Sequence, residues 1–222
     1  MSYWQRQKLM LTEDENKKIR DMVVLIAGAG GLGTHQLQEL QRIGVKKIYL
    51  LDFDCIQASN LNRQILYGSN DIGKYKTETA KEVLDSFDLE TEIITINQKL
   101  TSGFELPEDV NIVFDALDNF KSRFILDDLV QNRGIPLIHG GISSWYGQIT
   151  SIIPGKTPTL KEIFADASDE KGEIPAFSPV VAVVACLQVI EGVKVFLGKD
   201  NILADKLMYI NFNDYSFEII EL

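Results

Sequence analysis

The chain predicts an α/β fold built on one doubly wound, mostly parallel sheet, and three observations carry that prediction. Short apolar runs alternate with segments of helical periodicity from about residue 22 to residue 139. A glycine-rich turn (Gly28, Gly30, Gly31 and Gly33) sits where the first run gives way to the first helix. Beyond about residue 140 the alternation ends, and strands with turn signals extend the sheet in antiparallel fashion at its C-terminal end. The sum is a Rossmann-like architecture in a single domain of 222 residues. It divides into an N-terminal helical arm at 1–20, a βαβ core at 21–140 and a C-terminal part at 141–222.

Each element has its own signal. Residues 22–27 form an unbroken apolar run ending at glycine, which suits a strand buried on both faces. Leu32, Leu37, Leu40 and Ile43 make a helical stripe that Gly44 stops. Residues 47–51 read as a second strand, 74–87 as helix, 92–97 and 110–116 as strands three and four. A helix over 119–132 has Gly134 just past its end, and residues 135–139 make strand five. Residues 147–153 alternate as a sixth strand. The segment 155–178 mixes proline, glycine and charge, with one short turn of helix at 160–164; a loop this long inside a compact domain is usually functional. Residues 180–197 predict a strongly apolar helix, and 208–212 with 216–220 a terminal hairpin around Asn213 and Asp214.

Composition narrows the function classes. With 22 basic and 32 acidic residues the net charge is −10, a poor match to nucleic acid or an anionic membrane surface. The two cysteines, Cys55 and Cys186, form neither a disulfide framework nor a CxxC pair. No signal-peptide pattern is present, and no apolar run reads as long enough to span a bilayer, so a cytoplasmic protein is expected.

The chemistry lies in five signatures in fixed order. The glycine turn permits close backbone approach to phosphate at a helix N-terminus. Asp52, in Leu51-Asp52-Phe53-Asp54, stands where a carboxylate would accept from ribose hydroxyls. On these two alone a nicotinamide dehydrogenase competes evenly. Asn60, Arg63 and Gln64 follow in a polar stretch, and Lys76 opens the next helix after Asp71. A dehydrogenase has no use for an arginine at the phosphates, whereas Arg63 and Lys76 together suit a triphosphate undergoing attack at its α-phosphorus. Asp115 and Asp118 follow strand four at the edge where open α/β sheets bind ligands. Asp118 is the expected Mg²⁺ ligand and Asp115 a strand-end acceptor; Asp118 as N-cap of the 119–132 helix is the simpler alternative.

These residues together resemble the ThiF/MoeB/HesA superfamily of ubiquitin-activating-enzyme-like adenylyltransferases, over nearly the whole chain. The resemblance implies adenylation, with Mg-ATP, of the C-terminal Gly-Gly carboxylate of a small ubiquitin-like sulfur carrier protein in thiamin or molybdopterin-type biosynthesis. It also implies nucleotide contacts from Gly28, Gly30, Gly31, Gly33, Asp52, Asp54, Ser59, Asn60, Leu61, Asn62, Arg63, Gln64, Lys76, Asp118 and Asn119. The family's R-Y-x-R-Q motif is matched in part at Tyr3 to Gln7, through Arg6 and Gln7 and without its first arginine. It implies a homodimer in which Arg6 reaches the partner's site, so that Arg6, Arg63, Lys76 and Asp118 are the catalytic set. The C-terminal strands and the 155–178 loop would receive the carrier.

Departures from the family matter as much. Thr159 and Glu162 stand where relatives carry the first pair of zinc cysteines, so no zinc site is expected. No cysteine lies between Cys55 and Cys186. Cys186 reads as a small buried hydrophobe, and the carboxylates beside Cys55 disfavour its thiolate. Adenylation without a covalent thioester is therefore expected, with a separate sulfur donor attacking the acyl-adenylate. A nucleotide- or carrier-binding scaffold without activity is the alternative. His35 and His139 read as structural or surface residues, with His139 a weak candidate for lining the carrier-tail channel, and Trp145 with Tyr146 reads as core, with partner surface the alternative.

Overall fold

A computed structural model describes residues 3–167, 169 and 174–222 of the chain. Eight strands form one sheet in the order β3-β2-β1-β4-β5-β6-β7-β8. β1 (Val23–Ala27), β2 (Lys47–Leu51), β3 (Glu92–Ile96), β4 (Ile112–Asp115) and β5 (Leu137–Ser143) pair in parallel. β6 (Tyr146–Ile152), β7 (Lys206–Asn211) and β8 (Ser216–Glu221) continue the sheet antiparallel. β1 sits between β2 and β4, so the strand order reverses there and opens a crevice at the strands' C-terminal ends.

Burial follows strand alternation. Val24 and Ile26 of β1 face α1 (Glu13–Asp21), α2 (Gly31–Ile43), α3 (Lys76–Asp85) and α6 (Ser178–Leu197). Val23, Leu25 and Ala27 face α4 (Phe120–Arg133) and the short α5 (Leu160–Ile163). The link from β3 to β4 has no helix; Leu100, Phe104 and Leu106 cover the sheet instead.

Element types agree with the sequence reading, and boundaries shift by one to four residues. α3 begins at Lys76 and ends at Asp85, two residues inside each expected end. β5 differs most. The strand is expected over 135–139, but it runs from Leu137 to Ser143 because β6 pairs with it over that length. Trp145 and Tyr146 are not core. They are 43% and 38% exposed at the β5–β6 turn, where Trp145 packs on Phe177 and Tyr146 stacks on Tyr209. The 155–178 loop holds α5, and residues 168 and 170–173 of it lie outside the described residues.

α6 also departs from expectation, because its 20 residues are long and apolar enough, by length and composition, to cross a membrane. Here it lies along the sheet between α2 and β5–β6. It buries Val181, Val184, Ala185 and Val189 together with two polar groups, Gln188 and Glu191. Glu191 accepts from Ser151 Oγ at 2.7 Å and from the Leu203 N–H, so its carboxylate is paid for by the sheet rather than by solvent.

The arm is docked, not free. Trp4 is buried and its indole N–H donates to the Arg42 carbonyl at 2.9 Å; Gln7 Nε2 donates to the Ile43 carbonyl at 3.2 Å. Both contacts lie at the C-terminal end of α2. Trp4→Ala is expected to cost about 3 kcal/mol, in line with large-to-small aromatic truncations. It would appear as a lower thermal midpoint and faster proteolysis of residues before α1. An unchanged midpoint would mean the arm is not held by this contact.

Candidate active site

The first βα turn is built by steric exclusion. Gly28 has φ 108°, and a Cβ there would lie 2.5 Å from the Ala116 carbonyl oxygen. A Cβ on Gly33 would lie 1.9 Å from the Gly28 carbonyl oxygen. Only glycine lets the turn close this tightly against the β4 end, and the closure leaves the first N–H groups of α2 turned toward the crevice.

Asp52 braces that turn from β2. Its Oδ2 accepts from the Ala29 N–H at 2.7 Å and its Oδ1 from the Asp54 N–H at 2.8 Å. Burial pushes its carboxyl above the ordinary range, against the nearby Lys76 charge and the two N–H bonds. Lys76, the first residue of α3, is itself buried, and its ammonium pairs with Asp54 at 2.9 Å. A lysine here is therefore no loose surface charge: it is desolvated and aimed by the Asp52-Phe53-Asp54 turn.

The 58–64 segment closes the crevice from above. Arg63 packs its stem against Gly31, where a Cβ would come within 3.4 Å of Arg63 Cγ. Its guanidinium donates to the Ser59 carbonyl at 3.0 Å and to Asn62 Oδ1 at 2.9 Å. Asn62 in turn donates to the Ala176 carbonyl, tying this segment to the end of the long crossover loop. Asn60 caps its own turn through the Gln57 N–H. Gln64 is 3% exposed beside Gly30, and its Oε1 has no hydrogen-bond partner among the described residues. A buried orphan acceptor next to a glycine cradle fits a ligand that brings a donor.

Asp118 is exposed just beyond β4 and takes one bond, from Asn119 Nδ2 at 3.0 Å. It does not cap α4. Asn119 is the N-cap, accepting from the Ser122 N–H at 2.8 Å, so Asp118 is not spent on the helix. No group of three His, Cys, Asp or Glu side chains gathers among the described residues. One strand-end carboxylate fits Mg²⁺ only when phosphate oxygens and water complete its shell, which is how that ion usually binds beside nucleotides.

The other expected positions sort as follows. Thr159 and Glu162 cap α5 reciprocally, each accepting from the other's backbone N–H. Cys186 is half-buried and burial pushes its thiol up, whereas Cys55 is exposed in a short bridge to Tyr75. Arg6 is exposed on the arm at the far end of α2 from the glycine turn.

Three residues, Tyr67, Gln188 and Arg123, escaped the sequence reading. Tyr67 is buried and donates to the Ala29 carbonyl at 2.8 Å, pinning the 58–71 segment on the glycine turn. Gln188 donates to the carbonyls of Asp115 and Ile138 and accepts from Gln36. A lone glutamine inside an apolar helix was its only sequence signal. Arg123 is buried in the first turn of α4 and donates to the Leu117 carbonyl at 2.7 Å. Asp115, expected as an acceptor, takes the Leu117 N–H on Oδ1 and, on Oδ2, His139 at 2.7 Å. His139 is wholly buried, and desolvation holds it below its ordinary pKa against the opposing pull of Asp115. The neutral ring donates from Nδ1 to Asp115 and accepts at Nε2 from Gln148 at 3.2 Å.

A doubly wound sheet with a glycine turn, a braced lysine and a strand-end carboxylate at its switch point defines an α/β domain of Rossmann-like class. The chain belongs to the ThiF family, whose model matches residues 4–222. It is 32% identical over 205 residues to the SAMP-activating enzyme E1 of Haloferax volcanii, covering 89% of this chain and 75% of that protein. It is 34% identical to the sulfur carrier protein ThiS adenylyltransferase of Bacillus subtilis, covering 83% of this chain but 57% of the relative. The molybdopterin-synthase adenylyltransferase of Haemophilus influenzae is 33% identical, with 89% and 84% covered. The chain thus spans from about half to most of the length of the curated relatives it matches. Among solved structures, E. coli MccB superposes with a TM-score of 0.86 at 23% identity, over 99% of this chain and 69% of that one, which shows the shared fold.

Proposed function

We propose that this ThiF-family chain is a cytoplasmic, Mg-ATP-dependent adenylyltransferase acting on the C-terminal Gly-Gly carboxylate of a ubiquitin-like sulfur carrier protein. The observation that supports the reading most is the glycine turn at the switch point, with the Arg63 stem packed on Gly31, Lys76 buried beside the Asp52–Asp54 turn and Asp118 exposed just beyond β4. In the reaction a carboxylate oxygen of the carrier attacks the α-phosphorus of ATP. A new P–O bond forms, the bond from that phosphorus to the bridging oxygen breaks, and pyrophosphate leaves with the electron pair. Gly28 to Gly33 seat the phosphates, Asp52 holds the ribose end, and Gln64 offers its orphan oxygen. Arg63 and Lys76 neutralise the charge that builds on phosphate. Mg²⁺ at Asp118 would screen the leaving pyrophosphate. The names of the H. volcanii, B. subtilis and H. influenzae relatives support carrier activation, and they spread over pathways without selecting thiamin or molybdopterin.

A homodimer supports the role assigned to Arg6. α2 is 13 residues long, so the arm, docked at Arg42 and Ile43, lies about 18 Å from the glycine turn at the other end. No arginine side chain spans that distance, so Arg6 does not reach its own subunit's glycine turn, which supports a role at a partner's site. α6 runs beside α2 in the same direction, with Val181 against Gly31 and Gln188 bonded to Gln36, and its outer face leaves Val183 and Ile190 exposed. Two-fold pairing of α6 helices would bring each arm to the other subunit's phosphate turn.

The test is ATP–pyrophosphate exchange with candidate Gly-Gly carriers. Exchange that requires a carrier supports the enzyme; ATP binding without exchange for any carrier supports the scaffold reading. Mixing Arg6→Ala with Lys76→Ala subunits should restore about a quarter to a half of activity if Arg6 acts in trans, a statistical range for shared sites. Mixtures as inactive as the parents would remove that role.

A further inference from the structure

The crevice has a floor that the nucleotide contacts do not explain. Three charged or polar side chains from three elements converge on residues 115–117, immediately before Asp118. Asp115 ends β4, His139 lies in the middle of β5, and Arg123 lies in the first turn of α4. Asp115 holds its own loop through the Leu117 N–H, and Arg123 holds the same residue's carbonyl. Arg123 Nη2 also reaches the Gly140 carbonyl at 3.4 Å, while its Nε stands 3.3 Å from Asp115 Oδ2 without hydrogen-bond geometry. The Ala116 carbonyl oxygen between them is the group that presses on Gly28. The clamp therefore sets where Asp118 stands relative to the phosphate turn.

His139 is the member whose position decides the rest. It supplies the one side-chain hydrogen bond to Asp115 Oδ2 among the described residues, and its other nitrogen is oriented by Gln148. Phe164 of the crossover loop covers the ring at 5.2 Å between centroids. A buried carboxylate beside an arginine is costly compared with apolar packing, so stability alone is a weak reason for it. Its value lies in fixing one geometry.

We propose that His139 is a positioning residue for adenylation: by donating from Nδ1 to Asp115 it locks the 115–119 loop and so aims Asp118 at the phosphates. The proposal rests on the adenylyltransferase reading for its kinetic consequence, but not for its structural one. The amide nitrogen of asparagine stands close to the position of histidine Nδ1, and that of glutamine close to Nε2. His139→Asn should therefore keep the bond to Asp115 and His139→Gln should lose it, in side chains of similar polarity.

The experiment compares the two variants by ATP–pyrophosphate exchange and by amide deuterium uptake of the whole chain. His139→Gln is expected to lower kcat by about tenfold or more with KM for ATP within about threefold, because seating at the glycine turn is unchanged. Deuterium uptake should rise in peptides covering residues 114–124 and not in those covering β1. His139→Asn should stay near wild type in both measurements. Equal behaviour of the two variants, or uptake that rises evenly through the chain, overturns the proposal. If the wild-type protein shows no exchange with any carrier, the adenylation reading fails, while uptake at 114–124 still decides the positioning role.

Discussion

Arg63→Ala is expected to lower ATP–pyrophosphate exchange by about 10²–10³-fold, the usual cost of losing one preorganised charge at a developing oxyanion, or roughly 3–4 kcal/mol of barrier. The effect should fall on kcat with little change in the thermal midpoint. Arg63 is half-exposed, and its bonds to Ser59 and Asn62 are local, within four residues of it. Lys76→Ala should match it in rate yet differ in stability, since Lys76 is buried against Asp54 and removing it leaves that turn without its cation. Steady-state exchange and thermal unfolding of the two variants side by side make the comparison. An Arg63→Ala protein within about threefold of wild type would show that this arginine only shapes its own loop.

Gly33→Ala is expected to give the largest loss of stability of any single methyl addition in the crevice. The new Cβ would sit 1.9 Å from a backbone carbonyl of the same turn, and no side chain stands there to rotate away. Either α2 shifts along its axis or the turn opens, and both undo the Gly28–Ala116 contact that joins β1 to β4. A cost of about 3 kcal/mol or more follows, at the top of the usual range for overpacking because the obstacle is backbone. Thermal unfolding with and without ATP checks it. A midpoint within about 3 °C of wild type would mean a cost near 1 kcal/mol and a turn less tightly closed than the distances state.

The fold was legible because its signals are local. Alternating apolar runs and stripes mark β1 to β4 and α2 to α4, and three helices, α2, α4 and α6, stop at a glycine in the left-handed region, Gly44, Gly134 and Gly198. β5 was misread at its end because its length is set by β6, a partner chosen by topology rather than by its own residues. Trp145 and Tyr146 were misassigned for a related reason. Large aromatics are core residues on average, but here they cap a hairpin and lean on Phe177 and Tyr209. The length of α6 shows the reverse case: an apolar stretch cannot declare from composition whether it meets lipid or a sheet.

The candidate site divides the same way. Chain order alone brought out the residues that would meet the nucleotide, because the glycine turn, Asp52, Arg63, Lys76 and Asp118 each follow a strand or open a helix. Those positions are determined by sequence, since a parallel α/β sheet sends every such loop to one edge. What holds them there was decided only by the tertiary structure. Tyr67, Gln188, Arg123 and the Asp115–His139 pair act across separations of up to 152 residues, and nothing in their own neighbourhoods says which partner they will meet. Desolvation supplies the physical reason. A buried polar group must find its partner wherever the packed chain presents one, and only the assembled core specifies that place.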